Sequence, residues 1–241
     1  MNVQVEQFIR ELNLSSTSQK ILEERSLSFV DYSEFAIGFC PANSNHNFTL
    51  LNGRIVVPIY SVHDKFVAFG GRKVNDYSKD VKNFYQSSFG KLEGLEKFLK
   101  WKTSKWINTP YKKSDHLFNL NKAKKSIFEE GFCFIVEGFF DVIHLNKMGY
   151  KNCVALCGTA LSEKHCELIF RYCNKVCFML DGDESGKLAA YNSLRIARKN
   201  NLFASAVEVR LNTDPDDLTK EELSFVYDQM KASSEEILVK I

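Results

Sequence analysis

The chain has 241 residues, 44% of them apolar, enough to bury a proper core in one large domain or two small ones. Its formal net charge of +2 excludes a globally basic nucleic-acid binder, so any such contact must come from local patches. No run of 18 apolar residues argues for a membrane span, and Met1–Arg10 is polar and mixed in charge rather than signal-like, which sets the expectation of a cytosolic protein with no membrane partner.

Residues 1–50 read as a mostly helical lead-in, with Ile21, Leu22, Leu27 and Phe29 spaced among charges and a polar loop over Ala42–Asn47. Residues 54–74 read as a hairpin. Its first strand carries Pro58, which points to an edge or a bulge. The return strand runs into Gly70-Gly71-Arg72, where backbone can bend sharply or approach something closely. Residues 75–104 carry no strong strand signal. Lys91–Lys125 holds ten lysines against three acids, a net +7, with Trp101, Trp106, Tyr111 and Phe118 interleaved. That stretch fits a nucleic-acid surface and equally a solvated helix face with core aromatics.

From residue 132 onward, strands at 132–136, 152–156, 175–180 and 205–211 alternate with helices at 139–148, 162–173 and 186–200. This alternation predicts an α/β fold with a compact four-stranded parallel sheet. Ser162 is the expected cap of its helix. The tail, 219–241, reads as one or two short helices. The seven cysteines fall in or beside apolar segments without paired Cys-x-x-Cys spacing, so we expect buried free thiols and no zinc.

The chemistry is concentrated at the strand ends. Phe132–Val136 runs into Glu137-Gly138-Phe139-Phe140-Asp141, Val176–Leu180 into Asp181-Gly182-Asp183, and Val207–Leu211 shortly into Asp214-Pro215-Asp216. In open parallel sheets ligands bind beyond the carboxyl ends of the strands. Carboxylates gathered there repel one another unless divalent metal sits among them. Glu137, Asp181, Asp183, Asp214 and Asp216 offer oxygen donors only, which favours magnesium or manganese, with two or more ions, over zinc. Asp141 lies within reach of the same rim. Gly158-Thr159-Ala160, ahead of a helix, suits a phosphate oxygen but is an ordinary turn as well. Glu184-Ser185-Gly186-Lys187 lacks the first glycine and the ending of a P-loop.

Taken together, Glu137-Gly-x-x-Asp141 and Asp181-Gly-Asp183 resemble the toprim signature of DnaG-type primases, topoisomerases and certain nucleases. Leu-Cys-Gly-Thr-Ala-Leu-Ser (156–162), Asp-Gly-Asp-Glu-Ser-Gly (181–186), Phe-Gly-Gly-Arg (69–72), Lys-Trp-Ile-Asn-Thr-Pro (105–110) and Leu-Phe-Asn-Leu (117–120) resemble primase segments in the same order, over roughly residues 30–220. The resemblance implies a DNA primase catalytic core that makes short RNA primers on a single-stranded DNA template from nucleoside triphosphates, in a bacterial cytoplasm or a phage-infected cell. It divides the chain into a basic α+β subdomain (1–125), a toprim domain (126–218) and a short helical tail (219–241). Glu137, Asp141, Asp181 and Asp183 become the catalytic acids. Arg72, Lys105, Asn108 and Lys113, with Arg54 as a weaker candidate, face template or nucleotide. The compact form, without a cysteine-rich zinc module or a Walker motif, suggests a phage, plasmid or reduced primase with a replicative helicase or separate zinc-module subunit as partner. A toprim nuclease and a non-catalytic single-strand binder are the competing readings.

Overall fold

A computed structural model describes residues 2–41, 48–74, 104–158, 160–211 and 213–241. The loop expected over Ala42–Asn47, residues 75–103 of the stretch without strand signal, and with them Lys91, Lys97, Lys100, Lys102 and Trp101 of the basic stretch, lie outside the described residues. The chain divides into two compact units, one of residues 1–59 and 66–111, the other of residues 60–65 and 112–241.

In the first unit, helices α1 (Val3–Leu14), α2 (Ser16–Glu24) and α3 (Phe29–Glu34) precede a four-stranded sheet of β1 (Gly38–Cys40), β2 (Arg54–Tyr60), β3 (Phe66–Lys73) and β4 (Trp106–Asn108) in that spatial order. Caps start the helices: the Asn2 side chain accepts from the Gln4 N–H at 2.9 Å, and Ser28 and Asp31 bond reciprocally at the head of α3. The apolar face of α1, through Val5 and Phe8, packs with Leu51, Val56 and Phe69, and the Phe8 and Phe69 rings meet edge to face at 5.4 Å. Pro58 sits in β2, an inner strand, where its type suggested an edge or a bulge. The reason is local: β1 pairs only with Arg54–Val56, so Pro58 lies beyond the end of that ladder and takes no bond from it.

The second unit is built on an all-parallel sheet in the order β6-β5-β7-β8-β9. Its strands are β5 (Cys133–Val136), β6 (Cys153–Ala155), β7 (Lys175–Met179), β8 (Phe203–Glu208) and β9 (Leu238–Lys240). The helices are α4 (Leu120–Glu130), α5 (Phe139–Lys147), α6 (Glu163–Phe170), α7 (Glu184–Lys199) and α8 (Lys220–Ala232). Strands β5, β6 and β7 are buried along nearly their whole length, as their unbroken apolar runs require in a sheet covered on both faces. Ile135, Val154, Val176 and Phe178 pack with Leu120, Ile127 and Ile169 of the surrounding helices.

The tail departs from expectation. It supplies one helix and then a fifth strand, where only helices had been read. Three residues are too few to show a strand period, and β9 exists because β8 offers it an open edge. Ala206 N–H donates to Ile237 O at 3.1 Å, Ser205 Oγ accepts from Ile237 N–H at 3.0 Å, and Lys240 pairs with Glu208 at 3.1 Å. All seven cysteines are buried free thiols, as expected. Among the described residues no helix is long and apolar enough to cross a membrane.

Candidate metal and nucleotide site

The acids sit where the parallel strands end. Strand β5 stops at Val136, and Glu137 follows half-buried at its tip. The next residue, Gly138, caps α5 and donates its N–H to Asp141 Oδ2 at 2.7 Å, which holds the Asp141 carboxyl inward at 7% exposure. Strand β7 stops at Met179 and leads through Leu180 to Asp181, whose N–H donates to Glu137 Oε1 at 3.3 Å. That bond joins two neighbouring strand tips. Asp183 is the N-cap of α7, and its Oδ1 accepts from Gly186 N–H at 2.7 Å while the residue stays exposed. After β8 the chain turns through a short 3₁₀ segment, Pro215–Asp217, with Asp214 exposed before it and Asp216 half-buried within it.

Backbone contact brings these segments together. Gly182 N–H donates to Thr213 O at 2.9 Å, and a Cβ at Gly182 would lie 2.0 Å from the Arg210 carbonyl oxygen. A Cβ at Gly186 would lie 2.0 Å from the Asp181 carbonyl oxygen. The Asp-Gly-Asp segment is therefore pressed between the loop after β8 and the first turn of α7, and only glycine fits at these contacts. His144 of α5 adds a third tie, with its Nε2 2.9 Å from Leu218 O, just beyond the Pro215–Asp217 turn.

Charge interactions tie Glu137, Asp141, Asp181, Asp183, Asp214 and Asp216 into one mutually repelling set. Burial, followed by the charges of Glu137, Asp214, Asp183 and Asp216, pushes the Asp181 carboxyl up to about 7. Burial, then Asp216, Asp181 and Asp214, raises Asp141 to about 8, against the opposing effect of the Gly138 N–H bond. Glu137 is raised by burial and by Asp183 and Asp214, and its bond from Asp181 N–H offsets part of this. Among the described residues no three acid, histidine or cysteine side chains converge as they stand into a set that could hold a metal ion. The donors still fit a hard divalent cation: they are all carboxylate oxygens, and their mutual repulsion is what a cation relieves.

Asp141 gives a direct test of that stored repulsion. Its folded value is raised, so its cost is absent below the unfolded value near 3.8 and grows as pH rises through about 8. Asp141→Asn keeps the acceptor for Gly138 N–H and removes the charge. It should stabilise the metal-free protein at pH 8 by about 2–4 kcal/mol and change little at pH 4. Urea unfolding at both pH values checks this, and a less stable variant at pH 8 would refute it.

The basic candidates divide between the two units. Arg54 is 3% exposed, and its Nη1 donates to the carbonyls of Gly71, Ser104 and Lys105 at 3.3, 3.0 and 3.4 Å. Burial lowers its guanidinium to about 10. The structure thus gives Arg54 a place inside the first unit's scaffold, where it holds the backbone that presents Lys105, and no place on an open surface. Arg72 on β3 lies over the Trp106 ring of β4 at 5.6 Å, Lys105 is exposed one residue before β4, and Asn108 stands opposite Gly70. Of the remaining described lysines of the basic stretch, Lys112 pairs with Asp115 at 2.9 Å, Lys124 donates to Val62 O at 3.0 Å, and Lys125 lies 3.7 Å from Glu129.

Lys113 belongs to the second unit. Its Nζ donates to Cys157 O at 3.2 Å, and Cys157 N–H in turn donates to Glu137 O at 2.9 Å. Cys157 and Gly158 both take positive φ, 53° and 79°, which turns the chain tightly after β6. Thr159 of the expected phosphate turn lies outside the described residues. Ser162 caps α6 as expected, its Oγ accepting from His165 N–H at 3.0 Å. Sequence reasoning missed His144 and His165, and it named Gly186 without its packing against Asp181. For His165 a signal existed in the Ser-x-x-His spacing at a helix start; for His144 there was none, because its partner is 74 residues away.

The Toprim-like family matches residues 134–219, the segment that carries all six acids. A DNA primase from Aquifex aeolicus is 31% identical over 172 residues, covering 70% of this chain and 30% of the relative. One from Lactococcus lactis is 29% identical over 216 residues, covering 86% of this chain and 33% of the relative. The chain thus spans about a third of the length of the curated relatives it matches. Among solved structures, Aquifex aeolicus primase (zinc-binding and RNA polymerase domains) superposes with a TM-score of 0.76 at 25% identity, over 94% of this chain and 59% of that one. The Escherichia coli primase catalytic core gives 0.75 at 22% identity, over 95% and 78%, and bears on the fold alone. By sequence and fold this chain belongs with the catalytic cores of the DnaG-type primases, built around a toprim-like domain.

Proposed function

We propose that this chain carries out the nucleotidyl transfer of a DNA primase, extending a short RNA primer on a single-stranded DNA template. The observation that carries the reading is the six-acid cluster at the carboxyl edge of the parallel sheet, with the Asp181 carboxyl raised to about 7 by its neighbours. Glu137, Asp181, Asp183, Asp214 and Asp216 would hold magnesium or manganese. Such ions, when bound, neutralise triphosphate charge and favour in-line displacement at phosphorus.

The chain's own residues do the rest. The acid cluster excludes an unescorted triphosphate by repulsion, so nucleotide and cation enter together. Asp141, neutral when buried without a cation, keeps Gly138 and hence Glu137 in place through its 2.7 Å bond. Lys113, anchored at the tip of β6, offers an ammonium to phosphate beside the acids. Arg72, Lys105 and Asn108 on and beside β3 and β4 face template or nucleotide. One solved structure of similar fold is a DnaG primase catalytic domain bound to single-stranded DNA, which supports a single-strand template here. A replicative helicase or a zinc module is the partner that the resemblance suggests.

Incubation with single-stranded DNA, labelled nucleoside triphosphates and magnesium or manganese tests the proposal on a denaturing gel. Short, template-dependent products are expected. A shortened template without products would instead identify a toprim nuclease. Salt-sensitive binding with no metal requirement would identify a binding module.

A further inference from the structure

His165 is fully buried, at 0% exposure, yet it belongs to neither the acid cluster nor the sheet core. Both ring nitrogens are used. Nδ1 lies 3.3 Å from Ser162 N–H and must accept from it, which leaves the proton on Nε2, 3.0 Å from the Lys113 carbonyl oxygen. Beside it, Ser162 Oγ donates to Ser114 O at 2.7 Å. Two side chains from the first turn of α6 therefore grip the backbone of Lys113 and Ser114. Farther along the same segment Phe118 forms a two-bond bridge with Ala155, at 3.0 and 3.2 Å. The stretch 113–118 is fastened at both ends along β6, and the Lys113 ammonium reaches the Cys157 carbonyl, one hydrogen bond from the backbone of Glu137.

The geometry points to His165, with Ser162, as a positioning residue that holds Lys113 at the acid site so that its ammonium meets the triphosphate of the incoming nucleotide. This rests on the primase reading above. The 3₁₀ turn Lys113–Asp115 has no side-chain cap of its own and lies on a half-exposed segment. Without the donor from His165 its first carbonyl loses a buried partner and Lys113 loses its fixed reach.

The two nitrogens can be separated by substitution. His165→Gln keeps a donor near the Nε2 position for Lys113 O, whereas His165→Asn keeps only an acceptor near the Nδ1 position for Ser162 N–H. Ser162→Ala removes the second grip while leaving His165 in place. On the whole chain, KM for nucleoside triphosphate and kcat would be measured in primer synthesis. The rate of reductive methylation of Lys113 would be read by peptide mass spectrometry, and unfolding by circular dichroism.

His165→Asn and Ser162→Ala should raise KM about tenfold with kcat within threefold, and methylate Lys113 severalfold faster. His165→Gln should remain close to wild type in both. Equal behaviour of the Gln and Asn variants, or an unchanged methylation rate in folded Ser162→Ala, would overturn the assignment. An unchanged KM in Lys113→Ala would overturn its functional half. A wild-type protein without transfer activity would instead overturn the primase reading, and the methylation rates would still decide whether His165 holds Lys113.

Discussion

Asp181→Asn should abolish the proposed metal-dependent nucleotide transfer, by on the order of 10³-fold or more, without weakening the fold. Asp181 is the acid on which the cluster converges: Glu137, Asp214, Asp183 and Asp216 all raise it, to about 7, after burial. Its value is raised on folding, so the destabilisation it causes is absent below the unfolded value near 3.8, grows as pH rises, and is complete above about 7. Asparagine removes that cost. Asp181 is only half-buried, so solvent screening reduces the gain to about 1–2 kcal/mol at pH 8, and it disappears near pH 4. The Asp181 N–H bond to Glu137 is a backbone bond and survives the substitution. The opposed outcomes separate a lost ligand from a lost fold. Thermal melts without metal at pH 4 and 8, beside the primer gel, check both. Activity within tenfold of wild type, or a lower melting temperature at pH 8, would remove Asp181 from the proposed metal site.

Gly182→Ala should be among the most damaging single-methyl changes in the toprim unit. The new Cβ would lie 2.0 Å from the Arg210 carbonyl oxygen, 2.9 Å from its carbon, and 3.1 Å from the Thr213 oxygen. Neither partner is a flexible side chain, so the loop after β8 must move by about 1 Å. That movement breaks the 2.9 Å Gly182 N–H to Thr213 O bond. Overpacking and the lost bond together cost about 2–4 kcal/mol. The same displacement carries Asp214 and Asp216 away from Asp181 and Asp183, and misplacement of this size costs about 10²-fold in rate. Urea unfolding and primer yield should both fall for Gly182→Ala, while Ser185→Ala, exposed three residues away, should change stability by less than about 0.5 kcal/mol. Stability unchanged in Gly182→Ala would mean that the β7 tip and the loop after β8 do not touch as described.

Much of the toprim unit was legible before the structure because its signals are local. Unbroken apolar runs such as Cys133–Val136 and Lys175–Met179 mark strands buried on both faces, and an acid-glycine pair after each run marks its tip. The strand edges shifted by one to three residues, as hydrogen bonding rather than side-chain type decides where a ladder stops. Pro58 and the tail misled for one reason: each was judged by residue type or run length, whereas the outcome depended on which neighbouring strand was present to pair.

The sequence by itself determined the parallel α/β architecture, the set of acids at its strand ends and the oxygen-only donor chemistry, since periodicity and residue type are properties of the chain read in order. Tertiary structure alone decided that Arg54 turns inward to hold three carbonyls, that β9 completes the sheet, and that Gly182 sets the closeness of two acidic loops. It also decided that the Lys113 side chain meets Cys157, 44 residues away, and that its backbone meets His165. Those placements depend on buried hydrogen bonds and backbone contacts between segments far apart in the chain, and such bonds form only when the whole fold has brought their partners within about 3 Å.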